Sequence, residues 1–129
     1  MKQVEILGGC MCGQIRYRLT CSPIYATMCH CSDCRRSCGA PAVAWITVPD
    51  RHFSFTQGEP TRFASSPNVE RTFCPKCGTS LTYKIDRRKN EIDITTGSLD
   101  NPEAYPPTQD YYCRDRLPWV KTCTENKKE

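Results

Sequence analysis

The sequence predicts a mainly β fold of short strands joined by turns and cysteine knuckles, and three observations support this. The chain of 129 residues contains ten prolines and seven glycines, and only 38% of its residues are hydrophobic. This composition suits many turns better than long helices. Several short segments alternate apolar and polar side chains, which is typical of half-buried strands. Eleven cysteines, many of them closely spaced, indicate metal binding.

The length fits one domain over residues 1–129, with a core from about residue 8 to about residue 120 and a polar tail at residues 124–129. No run of 18 apolar residues is present, so no membrane-spanning helix is predicted. The first residues also lack the apolar stretch of a signal peptide. We therefore expect a cytoplasmic protein whose thiols stay reduced, and the odd number of cysteines argues against a complete disulfide framework.

Alternating segments define the predicted strands. In residues 14–20, Ile15, Tyr17 and Leu19 share one face, and residues 42–48 form a nearly continuous apolar run that predicts a buried central strand. Further strands are predicted at residues 24–28, 52–56, 61–64, 69–73, 79–85 and 91–96. Residues 65–68 are predicted to form a loop, residues 86–90 a solvated hairpin loop, and residues 117–120 a segment packed on the core.

Two cysteine pairs are predicted to form one closed metal site. Cys10 and Cys12 lie in a glycine-rich stretch, and Cys74 and Cys77 belong to a Cys-Pro-x-Cys-Gly knuckle in which Gly78 takes the left-handed position. A thioredoxin-like redox role would require a following helix, but the next residues alternate as a strand. We therefore expect these four sulfurs to hold one structural zinc.

A second metal site is predicted where three of six consecutive residues are cysteines. In an extended backbone Cys29 and Cys31 face one side and His30 faces the other. A turn at residues 32–33 would bring Cys34 beside the first two sulfurs. Three thiolates leave one zinc position open, as in catalytic zinc sites. A redox or disulfide role is the alternative, although three thiols cannot all pair locally.

The residues around this motif supply the other candidates. His30 and Asp33 are the local candidates for a general acid or base, and a His30 that only packs away from the metal is the alternative. Arg35 and Arg36 either form a solvated loop or bind carboxylates of a substrate. Cys38 is expected to pack as a small hydrophobic residue, with a fourth metal ligand as the alternative.

These motifs occur in the order seen in a known family. They are Gly9-Cys10-x-Cys12-Gly13, Cys29-His30-Cys31-x-x-Cys34, Arg71-x-Phe73-Cys74-x-x-Cys77-Gly78 and Gly97-Ser98-Leu99-Asp100. In these residues the chain resembles the glutathione-dependent formaldehyde-activating enzyme family, also called the centromere protein V family, from about residue 8 to residue 119. The resemblance implies an Mss4-like, zinc-bound β fold of short antiparallel strands. It also implies two zincs, a structural one on Cys10, Cys12, Cys74 and Cys77 and a catalytic-type one on Cys29, Cys31 and Cys34.

One departure from the family pattern concerns the substrate. The family often carries His-x-Trp nine residues before the tryptophan of its Pro-Trp pair, where this chain has Asp110 and Tyr112. The reaction that the resemblance implies is the condensation of formaldehyde with glutathione, and the departure leaves the particular substrate open.

We expect a zinc-dependent carbon–sulfur lyase that acts on a glutathione-type thiol adduct. Zinc held by three thiolates is better suited to thiol chemistry than to water activation. The alternative is a zinc-stabilised binding module for protein or nucleic acid, which the basic residues 87–89 and Asp110 favour. Four thiolates on one zinc and three on another would lower the formal net charge from +4 to +1, which argues against a nucleic-acid partner.

Overall fold

Two β-sheets make up most of the structure, a computed structural model that describes residues 4–123. The strands are β1 (Ile6–Gly9), β2 (Arg16–Leu19), β3 (Tyr25–Cys29), β4 (Val43–Pro49), β5 (Phe53–Gln57), β6 (Thr61–Ser66), β7 (Val69–Phe73), β8 (Ser80–Ile85), β9 (Glu91–Thr95) and β10 (Gln109–Tyr111). Within the described residues there is one α-helix, α1 (Ser32–Cys38). Short 3₁₀ turns lie at Asp50–His52, Thr96–Ser98, Pro102–Ala104 and Cys113–Asp115. The predicted mainly β fold is confirmed, and the predicted polar tail lies outside the described residues.

The smaller sheet has the order β1-β2-β5, and the larger has the order β10-β3-β4-β9-β8-β7-β6. Every pair of neighbouring strands is antiparallel except β10 and β3, which run parallel. The expectation of antiparallel strands therefore fails for this pair alone among the described strands. The parallel pairing brings the C-terminal part of the chain beside the segment that carries the central cysteines.

The main core contains the apolar face that the sequence predicted for β2. Ile15, Tyr17 and Leu19 are fully buried and cluster with Ile46, Val48, Leu81 and Ile94 of the larger sheet. Alternation along a strand sends successive side chains to opposite faces. The two sheets thus bury these side chains against each other.

The central strand β4 serves a second, smaller core on its other face. Val43 and Trp45 are buried with Cys29 and Cys34, and Tyr83 packs against them. This explains why the predicted central strand is apolar along most of its length: both of its faces are covered. The three-cysteine motif therefore sits on the face of the large sheet that points away from the smaller sheet.

Helix α1 replaces the turn predicted at residues 32–33, so that prediction is wrong. Cys31 is the N-cap residue, because its sulfur accepts a hydrogen bond from the backbone N–H of Cys34 at 3.3 Å. Asp33 in the first turn suits the positive end of the helix. The helix ends at Gly39, whose φ of 62° places it in the left-handed region. A helical turn, not a tight loop, brings Cys34 back beside Cys29.

Two smaller predictions also need correction. Trp119 does not pack on the core, since 72% of its surface is exposed. Ser65 and Ser66 belong to strand β6 and not to a loop, and the hairpin to β7 turns at Asn68 with a φ of 65°. In the described part of the chain, no helix has the length and apolar character needed to cross a membrane.

Candidate metal centres and the adjoining cavity

The first candidate metal centre brings together the two predicted cysteine pairs. The sulfurs of Cys10, Cys12, Cys74 and Cys77 all lie within 4.8 Å of one another. The first pair follows β1 and the second pair follows β7, so this cluster joins the smaller sheet to the larger one. Gly78 has a φ of 83°, the left-handed conformation expected after the second knuckle cysteine.

Backbone N–H groups point at the sulfurs of this cluster. Ile15 N–H donates to Cys10 Sγ at 3.2 Å, and the N–H groups of Lys76 and Cys77 donate to Cys74 Sγ at 3.4 Å. Hydrogen bonds to the charged form of a thiol stabilise the thiolate. Such bonds are the support that a metal-bound sulfur needs.

The thiols of the cluster differ in how readily they lose a proton. Hydrogen bonds from the hydroxyl and backbone of Thr79 lower the pKa of Cys77 to about 5. Although a hydrogen bond from Gln14 opposes it, burial and the neighbouring Cys10 raise the pKa of Cys12 to about 11. Closely packed thiolates repel one another, and a bound cation removes this repulsion.

The second candidate metal centre consists of Cys29, Cys31 and Cys34, whose sulfurs also lie within 4.8 Å of one another. Strand β3 ends in the first, the second caps α1, and the third lies in the first turn of the helix. Within the described residues no fourth cysteine, histidine or carboxylate joins this group. Cys38 packs beside it as a partly buried residue, as the sequence predicted, and does not belong to the ligand set.

The donor sets fit a metal such as zinc. All eleven cysteines are free thiols, so no disulfide competes for these sulfurs. A hydrogen bond with Cys29 and burial raise the pKa of Cys34, and burial raises the pKa of Cys31. Two cysteine clusters in the structure can therefore each hold a metal ion, with four ligands in one and three in the other.

A cavity of about 790 Å³ opens beside the three-cysteine cluster. Its floor is one row of side chains that face each other across the large sheet. The row runs through Tyr25, Thr47, Asp93, Tyr83 and Arg71, each paired with the next. Directly opposed residues on one face lie close enough for their side chains to interact. Strand register thus places polar side chains from five strands next to the cysteines.

The walls of the cavity come from three segments. Ser32 and Asp33 of α1 form one wall, residues 87–89 a second, and Tyr112 with its neighbours after β10 a third. The prediction that residues 86–90 are merely solvated is wrong for Arg88. Its guanidinium donates to Asp93 at 2.7 and 2.9 Å and to Glu91 at 3.1 Å, which ties the hairpin loop to the cavity floor.

His30 lies behind the cysteine cluster and does not line the cavity. It is fully buried, its Nε2 lies 2.9 Å from Asp110 Oδ1, and its backbone N–H donates to Tyr111 at 3.0 Å. Asp110 also accepts hydrogen bonds from the N–H and the thiol of Cys123, each at 3.1 Å. The departure from the family pattern at residue 110 thus supplies a carboxylate for this buried histidine.

The other predicted site residues are divided between two cavities. Asp33 lines both the first cavity and a second one of about 520 Å³, and Arg71 also lines both. Arg36 lines the second cavity, whereas Arg35 lines neither of the two. The Nε atom of Arg35 is buried without a hydrogen-bond partner. The structure therefore places the two adjacent arginines of α1 differently.

Arg71, Tyr83 and Asp93 were not predicted as site residues. Each lies within a strand where alternation predicts only an inward or an outward side chain. Arg71 did stand in a cysteine motif of the sequence, but nothing local showed that it lies on the same face as Cys34. Cross-strand register, which the sequence does not reveal, brings these residues to the cavity.

Fold and site define a cysteine-rich β protein with two clusters that can bind metal ions and a cavity beside the three-ligand cluster. A family model described as glutathione-dependent formaldehyde-activating enzyme matches residues 5–115. The chain belongs to this family.

Individual relatives agree with this assignment. An uncharacterized lyase of Schizosaccharomyces pombe is 31% identical over 90 residues, which cover 70% of this chain and 65% of that protein. The chain thus spans just under two thirds of the length of this relative. A putative glutathione-dependent formaldehyde-activating enzyme of Halomonas elongata is 27% identical over 125 residues, covering 88% of this chain and 78% of the relative.

A solved structure shows a similar fold. The crystal structure of a Rhodobacter sphaeroides protein matches with a TM-score of 0.66 at 20% sequence identity. The match covers 81% of this chain and 98% of that chain.

Proposed function

We propose that this protein is a zinc-dependent carbon–sulfur lyase that forms or cleaves a glutathione-type thiol adduct, such as S-hydroxymethylglutathione. The single observation that carries the proposal is the cluster of Cys29, Cys31 and Cys34 at the edge of the 790 Å³ cavity. Three thiolates with an open side towards a cavity are the arrangement of a reactive zinc, whereas four thiolates close a structural one. The family description and the lyase name of the S. pombe relative support the reaction class.

The reaction has a simple balance of bonds. The sulfur of the thiol attacks the carbonyl carbon of formaldehyde, a C–S bond forms, and the π bond of the carbonyl breaks. The proton lost by the thiol ends on the former carbonyl oxygen. A zinc ion on the three cysteines would supply the Lewis acid that lowers the pKa of a thiol or polarises a carbonyl.

The residues around the cluster have separate roles in this proposal. The cysteines would hold the metal, and Asp33 on one wall of the cavity is the candidate for moving the proton. His30 acts as a positioning residue, because its ring is bonded to Asp110 behind the cluster and does not face the cavity. Arg36 stays a candidate for the rim of the substrate site, and no role is assigned to Arg35.

The proposal is tested by measuring exchange between glutathione and formaldehyde at equilibrium by NMR. The zinc-loaded protein should accelerate exchange well above the uncatalysed rate, and Cys31→Ser should abolish the acceleration. Cys113→Ser is the matched control, since Cys113 is exposed and belongs to neither cluster. Equal exchange with and without the zinc-loaded protein would refute the proposal.

A further inference from the structure

Arg71 is a buried cation that pairs with no carboxylate of the described residues. Only 8% of its surface is exposed, and within the described residues no carboxylate lies within 4.0 Å of it. Its Nε donates to Ser65 Oγ at 3.0 Å and its Nη1 donates to Ser37 Oγ at 3.2 Å. The guanidinium also lies 4.8 Å from the centre of the Tyr83 ring. Burying a charge among neutral partners is costly unless an anion completes the site.

The neighbouring side chains hold the Arg71 guanidinium in one orientation and leave some of its N–H donors unused. A guanidinium carries five N–H donors, and the two serine hydroxyls use only two of them. The ring of Tyr83 supports its face. A guanidinium fixed in this way presents coplanar N–H donors that match the two oxygens of a carboxylate. Binding then costs little further loss of side-chain freedom.

The position of Arg71 connects it to the reactive cysteines. Ser37, which accepts from Arg71, itself donates to the backbone carbonyl of Cys34 at 3.1 Å. Arg71 lines the cavity beside the cysteine cluster and also the second cavity of about 520 Å³. It therefore stands between the place where a thiol would react and a second space large enough for the rest of a substrate.

The second cavity suits the remainder of a small peptide-like molecule. Phe63 continues the cross-strand row beyond Arg71, and Phe73 and Trp45 add apolar surface. Arg36 lines the same cavity and contributes a further positive charge. By contrast, the half-buried Arg88 of the first cavity is already neutralised by Asp93 and Glu91.

We infer that Arg71 binds a carboxylate of the thiol substrate, and that the substrate extends from the three-cysteine cluster past Arg71 into the second cavity. The inference rests on the proposed function, because that function supplies a thiol with carboxylates at both ends. It moves carboxylate recognition from the arginine pair of α1 to an arginine inside strand β7. A competing role for Arg71 is that it only balances the negative charge of the three thiolates.

Calorimetric titration distinguishes these roles. The probes are S-methylglutathione, which has no thiol, and its diester, which has no carboxylate. We expect the zinc-loaded protein to bind the free acid at least tenfold more tightly than the diester. Arg71→Gln should abolish this preference. Arg71→Lys should reduce it, because lysine keeps the positive charge but lacks the paired N–H donors of a guanidinium. Arg62→Gln is the control, since Arg62 is exposed on β6 and paired with Glu70.

Zinc content and thermal unfolding of each variant are measured in parallel. Equal affinity of the unaltered protein for acid and diester, or no binding of either, would overturn the inference. An Arg71→Gln variant that still prefers the acid as strongly as the unaltered protein would also overturn the inference. If that variant instead binds zinc more weakly, the role of Arg71 is to balance the negative charge of the three thiolates. Accelerated exchange of glutathione and formaldehyde without discrimination between acid and diester would refute the role of Arg71 while leaving the proposed function in place.

Discussion

At the scale of single residues, the two cysteine clusters differ in what their sulfurs connect. Cys77 belongs to a set that bridges the two sheets. A metal bound there would link parts of the chain that are distant in sequence. Cys31 belongs to a set made within one continuous segment of six residues. Loss of a ligand should therefore affect stability in the first case and reactivity in the second.

Cys77→Ser should destabilise the fold far more than Cys31→Ser. A structural zinc contributes folding free energy on the order of 10 kcal/mol in small domains, because the site forms only in the folded chain. Thermal unfolding of both variants, with Cys113→Ser as a control, is the measurement. If Cys31→Ser unfolds as readily as Cys77→Ser, the central cluster is structural and the enzyme interpretation loses its main support.

The buried pair of His30 and Asp110 belongs to the same scale. Their side chains are 0% and 2% exposed, so neither could replace the lost hydrogen bond with water. We expect Asp110→Ala to lower the free energy of unfolding by roughly 1–3 kcal/mol, and Asp110→Asn to cost less because the amide oxygen can still accept. Urea denaturation is the measurement, and Asp115→Ala at an exposed position is the control. A cost for Asp110→Ala no larger than that of the control would show that the pair adds no stability.

Sequence reasoning worked best for residues whose chemistry is local. The spacing of Cys74 and Cys77 and the glycine after them define a knuckle without any knowledge of the fold. The partner of His30 could not be predicted, because Asp110 is 80 residues away and reaches it only through the parallel pairing of β10 with β3. The exposure of Trp119 was missed because an apolar side chain alone does not show whether its segment folds back onto the core.

At the scale of elements, residues 98–100, which follow β9, connect the two sheets. Ser98 Oγ lies 2.6 Å from the hydroxyl of Tyr17, and Asp100 N–H donates to the carbonyl of Leu7 at 2.9 Å. Leu99 forms an isolated bridge with Gly8, where a Cβ would lie 2.4 Å from the Tyr17 hydroxyl. Only glycine fits this close approach without a shift of its neighbours. The Gly-Ser-Leu-Asp motif therefore has a structural role in this fold.

The ion pair of Arg16 with Asp100 makes the stability of this connection depend on pH. The hydrogen bond from Arg16 lowers the pKa of Asp100, so the pair stabilises the folded state above the carboxyl's unfolded pKa of about 3.9 and is lost as the pH falls through the lower folded value. Asp100→Asn should lower the melting temperature slightly at pH 7, since a partly exposed pair contributes below about 1 kcal/mol.

The difference in melting temperature between the two proteins should be constant from pH 8 to about pH 5 and should shrink as the pH falls further towards the folded pKa of Asp100. The metal content of both proteins is measured at each pH, and melting temperatures are compared only where it is equal. Thermal unfolding followed by circular dichroism measures the effect. A difference that persists unchanged below the folded pKa would mean that the negative charge of Asp100 is not what stabilises the folded state.

Predicted elements were mostly correct because alternation is a local signal, while their assembly was not predictable. The cavity floor consists of side chains that are ordinary polar members of separate strands, such as Thr47 and Asp93. A shift of one residue in register would send each of them to the opposite face. The helix at Ser32 was missed because a short helix capped by a cysteine sulfur has no capping serine, threonine or aspartate in the N-cap position.

At the scale of the whole molecule, the two candidate metal centres lie in different environments. The four-cysteine cluster joins the sheets, and its Cys10 and Cys74 are buried whereas Cys12 is exposed. The three-cysteine cluster sits on the outer face of the larger sheet, and all three of its residues line the first cavity. A zinc held by Cys29, Cys31 and Cys34 would have one protein ligand fewer than a zinc in the four-cysteine cluster, so a chelator could bind at its open position.

The folded protein should therefore bind two zincs that leave at different rates. Mild chelation, followed by a colorimetric indicator for released zinc and by circular dichroism, should show one zinc leaving early with the β signal unchanged. The second zinc should leave later, together with loss of structure, because its binding free energy is part of the folding free energy. Cys31→Ser should remove the early phase and keep the late one. Simultaneous release of both zincs with collapse of the fold would contradict the division of the seven cysteines into one reactive and one structural site.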